Sequence, residues 1–224
     1  MVNIGRRMYD QGLIVAAEGN ISARLAGGDI LATPAGMCKG RMKPADLVVV
    51  DPAGHKLRGS KEASTELKMH LTALARRPDV NACVHAHPPY ATAFAVAGIP
   101  LADAILPEVI TTIGIVSLAP YATPSTSAVG DSISECLESS DAILLKNHGV
   151  LTVGNDLESA FRKMETVERL AQIVWLARGL GNVDDLPAGE VQRLRNLSRR
   201  AIPVAAAADK QTNVRVGRIR RTSD

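Results

Sequence analysis

Three of the five histidines in this chain stand where imidazoles can share a cation. His85 and His87 flank Ala86 at the end of the run Val80-Asn81-Ala82-Cys83-Val84. If that run is a strand, alternation puts both rings on one face and Ala86 on the other. Pro88-Pro89 follows; proline cannot donate to a ladder, so the strand stops with the second ring free. His148 closes another apolar run, Ala142-Ile143-Leu144-Leu145-Lys146-Asn147, and Gly149 behind it permits a sharp turn. Three histidines with one position left for water or substrate are the ligand set of a catalytic zinc, not a structural one. Satisfied polar side chains at strand ends would explain a lone histidine, but less well a His-x-His pair joined by a third.

Glu66 and His70 are four apart and share one face of a helix that starts near Ser64-Thr65. Ser and Thr are good helix caps, and the free N–H groups and positive dipole end there also suit an anion. Gly19-Asn20 and Gly36 add turns whose backbone N–H groups could cradle a phosphate without Lys or Arg. A strand-held cation beside one carboxylate points to chemistry on a carbonyl. The cation takes up charge on an oxygen, and the carboxylate moves a proton from the adjacent carbon.

The elements that must carry these residues alternate along the chain. Ile4, Met8 and Leu13 predict an opening helix over 3–16. Asn20 to Leu25 and Ile30 to Thr33 predict a hairpin around Gly27-Gly28. Leu47-Val48-Val49-Val50 predicts a buried central strand. The Glu66 helix runs with Leu67, Leu71 and Leu74 inward to Arg77-Pro78, ahead of the His85 strand over 81–85. A short helix over 91–96, a strand over 113–118, a helix over 126–137 and a strand pair bent at His148-Gly149 come next. Asn155 is expected to cap the longest helix, 156–178, which Gly179 and Gly181 end. Hairpin-short links among alternating strands and helices predict an α/β fold with a mixed sheet, not a strictly parallel one.

Composition narrows the class. The 224 residues are 46% hydrophobic and 22% charged, enough for one domain with a substantial core. Aromatics make up 3%, so the core is aliphatic. Cys38, Cys83 and Cys136 show no paired spacing, which argues against disulfides and fits a reducing compartment. No signal-like opening and no apolar run near the roughly 20 residues of a membrane span lead us to expect a cytoplasmic protein with no membrane partner. Residues 193–224 carry nine Lys and Arg against Asp209 and Asp224, although the whole chain is only +3. Lacking interleaved aromatics, this basic stretch predicts a solvated, flexible tail over 201–224 behind a catalytic domain over 1–200, with no nucleic-acid partner.

Six motifs occur in one order: Gly19-Asn20-x-Ser22-x-Arg24, Thr33-Pro34-x-Gly36, Ser64-Thr65-Glu66 with His70, His85-x-His87-Pro88, Pro120-Tyr121 and Asn147-His148-Gly149. Together they resemble the class II aldolase/adducin family, from residue 4 to about 180, and most of all its L-fuculose-phosphate aldolase branch. The resemblance implies a three-layer α/β/α domain around a mixed, largely antiparallel sheet, assembled as a homotetramer. It implies zinc, or another divalent transition metal, on His85, His87 and His148. Glu66 would be the acid/base, and Gly19, Asn20, Gly36, Ser64 and Thr65 would hold the phosphate of a sugar substrate. His70 would be a packing or supporting residue. The implied reaction is cleavage of a ketose 1-phosphate to dihydroxyacetone phosphate and an aldehyde through a metal-stabilised enediolate. Decarboxylation or dehydration of phosphorylated sugars or sugar acids, and a non-catalytic adducin-like module, are the alternatives within the family.

Two departures concern the aldehyde half of the substrate. The family's aldolase has a tyrosine where this chain reads Ala102-Asp103-Ala104, and Ala35 stands where it has a threonine. The chain's own tyrosines are Tyr9, Tyr90 and Tyr121. Tyr90, Tyr121, Glu108 or a residue of a neighbouring subunit are the candidate proton donors.

Overall fold

The computed structural model describes residues 1–101 and 104–197. Its strands are β1 (Asn20–Arg24), β2 (Ile30–Ala32), β3 (Val48–Val50), β4 (Lys56–Arg58), β5 (Ala82–Ala86), β6 (Val116–Ala119), β7 (Ala142–Leu145) and β8 (Gly149–Gly154). Its helices are α1 (Val2–Asp10), α2 (Leu67–Arg76), α3 (Pro89–Ala97), α4 (Pro107–Thr112), α5 (Ser127–Ser134), α6 (Cys136–Ser139), α7 (Leu157–Leu180) and α8 (Ala188–Leu197). The strands form one sheet in the order β4-β3-β2-β1-β5-β8-β7-β6. Only β6 and β7 run parallel; the other neighbours are antiparallel. The mixed, largely antiparallel sheet expected from the sequence is therefore present.

Strand alternation divides the core in two. Val84, Ala86, Leu144 and Val150 pack with Met8, Phe94, Phe161 and Val167 on the face covered by α1, α3 and α7. Cys83, Ile143, Leu145, Leu151 and Val153 pack with Leu67, Leu74, Val129 and Ile133 on the face covered by α2 and α5. Helices on both faces explain why β5, β7 and β8 are buried along their whole length. His85 shares the parity of Cys83, so its ring points to the α2 side.

The structure moves several boundaries. The opening helix stops at Asp10, because Gly12 takes a left-handed φ of +69° that ends it. β3 is not central; it is second from the edge, and β4 covers it with the exposed residues Lys56, Leu57 and Arg58. Charged side chains on an edge strand keep it from pairing with another chain. The predicted helix over 126–137 is split into α5 and α6. Asp156, not Asn155, caps α7, accepting from the Ser159 amide at 2.6 Å. α4 and α8 were not expected; they pack on one another, and Leu186 N–H donates to the Ala104 carbonyl nearby. The expected 201–224 tail, and Ala102-Asp103 of the departing motif, lie outside the described residues.

Candidate metal centre

His85 is the penultimate residue of β5, with its side chain fully buried. Its Nδ1 donates to the Val150 carbonyl on β8 at 2.9 Å, a bond a carbonyl can only accept. In the neutral ring the proton is therefore on Nδ1, and Nε2 presents its lone pair. His87, two residues on, places its own Nε2 3.2 Å from His85 Nε2. His148 arrives from the β7–β8 turn, where Asn147 adopts φ +57° and Gly149 follows. A Cβ on Gly149 would meet the Ala86 carbonyl and His87 Cδ2, each at 2.5 Å. Only glycine lets the two strands approach closely enough to bring the rings together. The ring centroids are 4.7 to 5.1 Å apart, and one nitrogen from each ring lies within 4.8 Å of the others.

This donor set fits a cation. The Nδ1 of His87 faces Glu18 Oε1 at 3.5 Å, an acceptor that favours the tautomer with the proton on Nδ1, as in His85. In that tautomer both Nε2 lone pairs converge, 3.2 Å apart, on the space a cation would fill. Two nitrogens bound tetrahedrally to zinc at 2.0–2.1 Å stand about 3.3 Å apart, close to the spacing here. Burial, reinforced by His85 and His148, pushes the His87 ring below its ordinary range, with Glu18 opposing, so the ring is neutral and its lone pair available.

Glu66 closes the fourth side. It sits directly ahead of α2, with Oε1 3.0 Å from His148 Nε2 and Oε2 3.4 Å from His85 Nε2. Burial alone would raise this carboxyl, but the hydrogen bonds and charge of His148 and His85 in their protonated forms outweigh it and hold Glu66 far below the usual range. Asn20 Nδ2 also donates to Oε2 at 2.8 Å. One turn along α2, the completely buried His70 pairs Nδ1 with Ser22 Oγ at 2.8 Å. Asn20 and Ser22 share a face of β1, so two hydrogen-bonded rungs fix α2 against it. His70 is thus no member of the cluster, as its position one turn deeper implied. Arg24, from the same strand motif, donates to the Leu74 carbonyl at 2.6 Å near the end of α2.

The expected anion turns come together beside this cluster. Ser64 N–H donates to the Thr33 carbonyl, and Ala35 N–H to the Glu62 carbonyl. These bonds set the Gly36 turn, with φ +63°, against the Ser64-Thr65 bend. Gly19, φ +68°, leaves no room for a side chain, since a Cβ would lie 2.8 Å from the His85 carbonyl. The α2 helix begins at Leu67, later than predicted, with the Ser64 hydroxyl accepting from Glu66 N–H at 3.3 Å. Thr65 is exposed, and its hydroxyl accepts from Ser125. The Asn20 side chain gives its donor to Glu66.

Two neighbours escaped the sequence reading, Glu18 and Lys39. Lys39 is 2% exposed and donates to the Ala17 carbonyl at 2.7 Å. Burial lowers its ammonium, while Cys38 and Glu66 pull it back up. The turns are therefore not without a cation, as expected, but have one close at hand. A charged residue next to each glycine turn was the only signal for either. The candidate donors fare differently: Tyr90 stacks near Trp175 at 5.8 Å, Tyr121 is exposed, and Glu108 is an exposed residue of the first turn of α4.

Residues 1–175 match the class II aldolase and adducin N-terminal domain. An L-fuculose phosphate aldolase of Methanococcus maripaludis is 32% identical over 179 residues, covering 80% of this chain and 96% of its own. A 3-oxo-tetronate 4-phosphate decarboxylase of Escherichia coli is 32% identical over 200 residues, covering 88% and 93%. A solved L-fuculose 1-phosphate aldolase superposes with a TM-score of 0.82 at 31% identity, covering 88% of this chain and 92% of that one. On the strength of the domain match and these likenesses, the chain is an enzyme of the class II aldolase/adducin family, whose aldolases depend on a metal ion.

Proposed function

We propose that this enzyme is a zinc-dependent aldolase that splits a ketose 1-phosphate into dihydroxyacetone phosphate and an aldehyde. The observation that carries the reading is the Glu66 carboxylate, ionised and held 3.0 and 3.4 Å from the Nε2 atoms of His148 and His85. His85, His87 and His148 would hold the metal, which when bound acts as a Lewis acid toward a substrate oxygen. Glu66 takes the proton from the carbon next to the carbonyl, or returns it there in the reverse direction. Asn20 aims the carboxylate through the 2.8 Å bond to Oε2. The N–H groups around Gly19 and Gly36 and the hydroxyls of Ser64 and Thr65 bind the phosphate, with Lys39 adding positive potential close by.

A second reading, decarboxylation of a phosphorylated 3-oxo sugar acid, has support of its own. The chain is as similar to a decarboxylase as to an aldolase, and residues 102–104 hold no tyrosine to protonate a leaving aldehyde. Homotetramer assembly belongs to the same proposal. Trp175, Leu176 and Leu180 at the end of α7 are 57%, 49% and 92% exposed, apolar surface suited to a second copy. We place the enzyme in the cytoplasm; among the described residues no helix is long and apolar enough to cross a membrane.

The test is the half-reaction. Zinc-loaded enzyme in deuterated water should exchange one carbon-bound hydrogen of dihydroxyacetone phosphate, followed by NMR. Unphosphorylated dihydroxyacetone should exchange far more slowly, because it lacks the phosphate anchor. Metal-loaded enzyme without exchange would refute the aldolase reading and leave the decarboxylase. A chain that binds no metal at all would favour the non-catalytic module.

A further inference from the structure

We infer that Glu18 is a positioning residue for His87 and strengthens metal binding through it; the inference rests on the metal site proposed above. Glu18 stands on the short loop between α1 and β1, next to Gly19. One carboxylate oxygen, Oε1, lies 3.5 Å from His87 Nδ1. The other, Oε2, accepts from the Val15 amide at 3.3 Å, which keeps the side chain turned toward the ring.

The geometry assigns the two His87 nitrogens different tasks. Nε2 converges on His85 Nε2 at 3.2 Å, so Nδ1 is left for an acceptor outside the cluster, and Glu18 is the carboxylate it meets. A carboxylate on the outer nitrogen fixes the tautomer, holds the ring plane and raises the basicity of the inner nitrogen. His85 obtains the first two effects from the neutral Val150 carbonyl. Its partner is backbone, which no side-chain replacement removes. His87 therefore carries the tunable half of the pair. Its side chain is also the more exposed, 24% against none for His85.

The size of the effect follows from exposure. Loss of such outer partners weakens metal binding about 10–100-fold. The Glu18 side chain is 38% exposed, and water and salt screen it, so the low end applies, near tenfold. Glu18→Gln separates this role from simple loop building, since the amide oxygen can still accept from Val15 while the charge is gone.

The experiment titrates zinc into the metal-free full chain against a chromophoric chelator, for wild type, Glu18→Gln and Glu18→Asp. We expect about tenfold weaker zinc for Gln, partial recovery for Asp, and an unchanged melting temperature of all three metal-free proteins. The gap between wild type and Gln should narrow as salt is raised, which a steric role would not produce. Wild type and Gln binding zinc within twofold of each other would overturn the inference and leave the metal site standing. Wild type that binds no zinc would overturn both.

Discussion

Two clusters of buried charged groups lie at opposite ends of the central strands, and they are built on different terms. At the start of β7, Lys163 Nζ donates to Asp141 at 2.7 Å and to the Val153 carbonyl at 2.8 Å. Arg77 reaches the second oxygen of Asp141 at 3.1 Å and also donates to the Leu137 carbonyl. Acceptors there meet donors. At the other end, two imidazole nitrogens converge at 3.2 Å, and buried Asn20 Oδ1 and His70 Nε2 have no hydrogen-bond partner. A cluster that satisfies itself needs nothing more than the fold. One left with uncompensated groups inside is shaped for something that arrives later.

Replacing His87 by Ala should separate the two ends most sharply. Metal occupancy, read by elemental analysis, should fall from about one per chain to near zero, while circular dichroism stays unchanged. Full occupancy in the variant would place the metal elsewhere. Glu66→Gln should keep the metal and lower the exchange of dihydroxyacetone phosphate by about 10²–10⁴-fold, the usual worth of a positioned base. An exchange rate near that of wild type would remove Glu66 from its role.

The opposite end should respond in stability alone. Lys163→Met leaves Asp141 with Arg77 and without its ammonium, so we expect about 3 kcal/mol lost in urea unfolding, with zinc affinity unchanged. A changed affinity would mean that the two ends are coupled.

The smallest effect concerns acid. Burial, then the charge of His85, depresses the His70 ring to about 3, with Glu66 pulling weakly the other way. An unfolded histidine titrates near 6.5. Between about pH 6.5 and 3 the unfolded chain therefore holds a proton that the folded chain refuses. Stability is present above that window and falls as pH drops through it, by at most about 1.4 kcal/mol per unit. Metal-free His70→Gln should show a shallower loss on acidification than the metal-free parent; parallel curves would refute this.

Residue spacing carried the cluster because its geometry is mostly local. A His-x-His on a strand and a His-Gly at a strand end declare their orientation without reference to the rest of the chain. The sheet's mixed character was legible for the same reason, in short links between apolar runs. What stayed hidden depends on long-range neighbours. Val48-Val49-Val50 looks central from its composition, and only the pairing with β4 shows it to be second from an edge. Asn20 was expected at an anion, yet a residue 46 positions away takes its donor. Glu18 meets a ring 69 residues later, and its place beside Gly19 gives no hint of that partner. The short helices α4 and α8 bury few residues, so their apolar spacing is too sparse to read.

The alignment of β5 on β8 would give a metal held by the three histidines one more use. His85 stands opposite Leu151 and Ala86 opposite Val150. Were β5 to thread one residue out of step, every side chain on it would change faces. His85 would then turn toward α7, away from His148. Such a chain would keep its helices and much of its sheet, and circular dichroism would pass it as native. Cobalt at the proposed site would not, because the intense absorbance of a tetrahedral ion needs all three rings on one side. Absorbance after refolding with cobalt therefore counts the molecules whose strands have threaded correctly, a yield that ordinary spectroscopic probes of folding overstate.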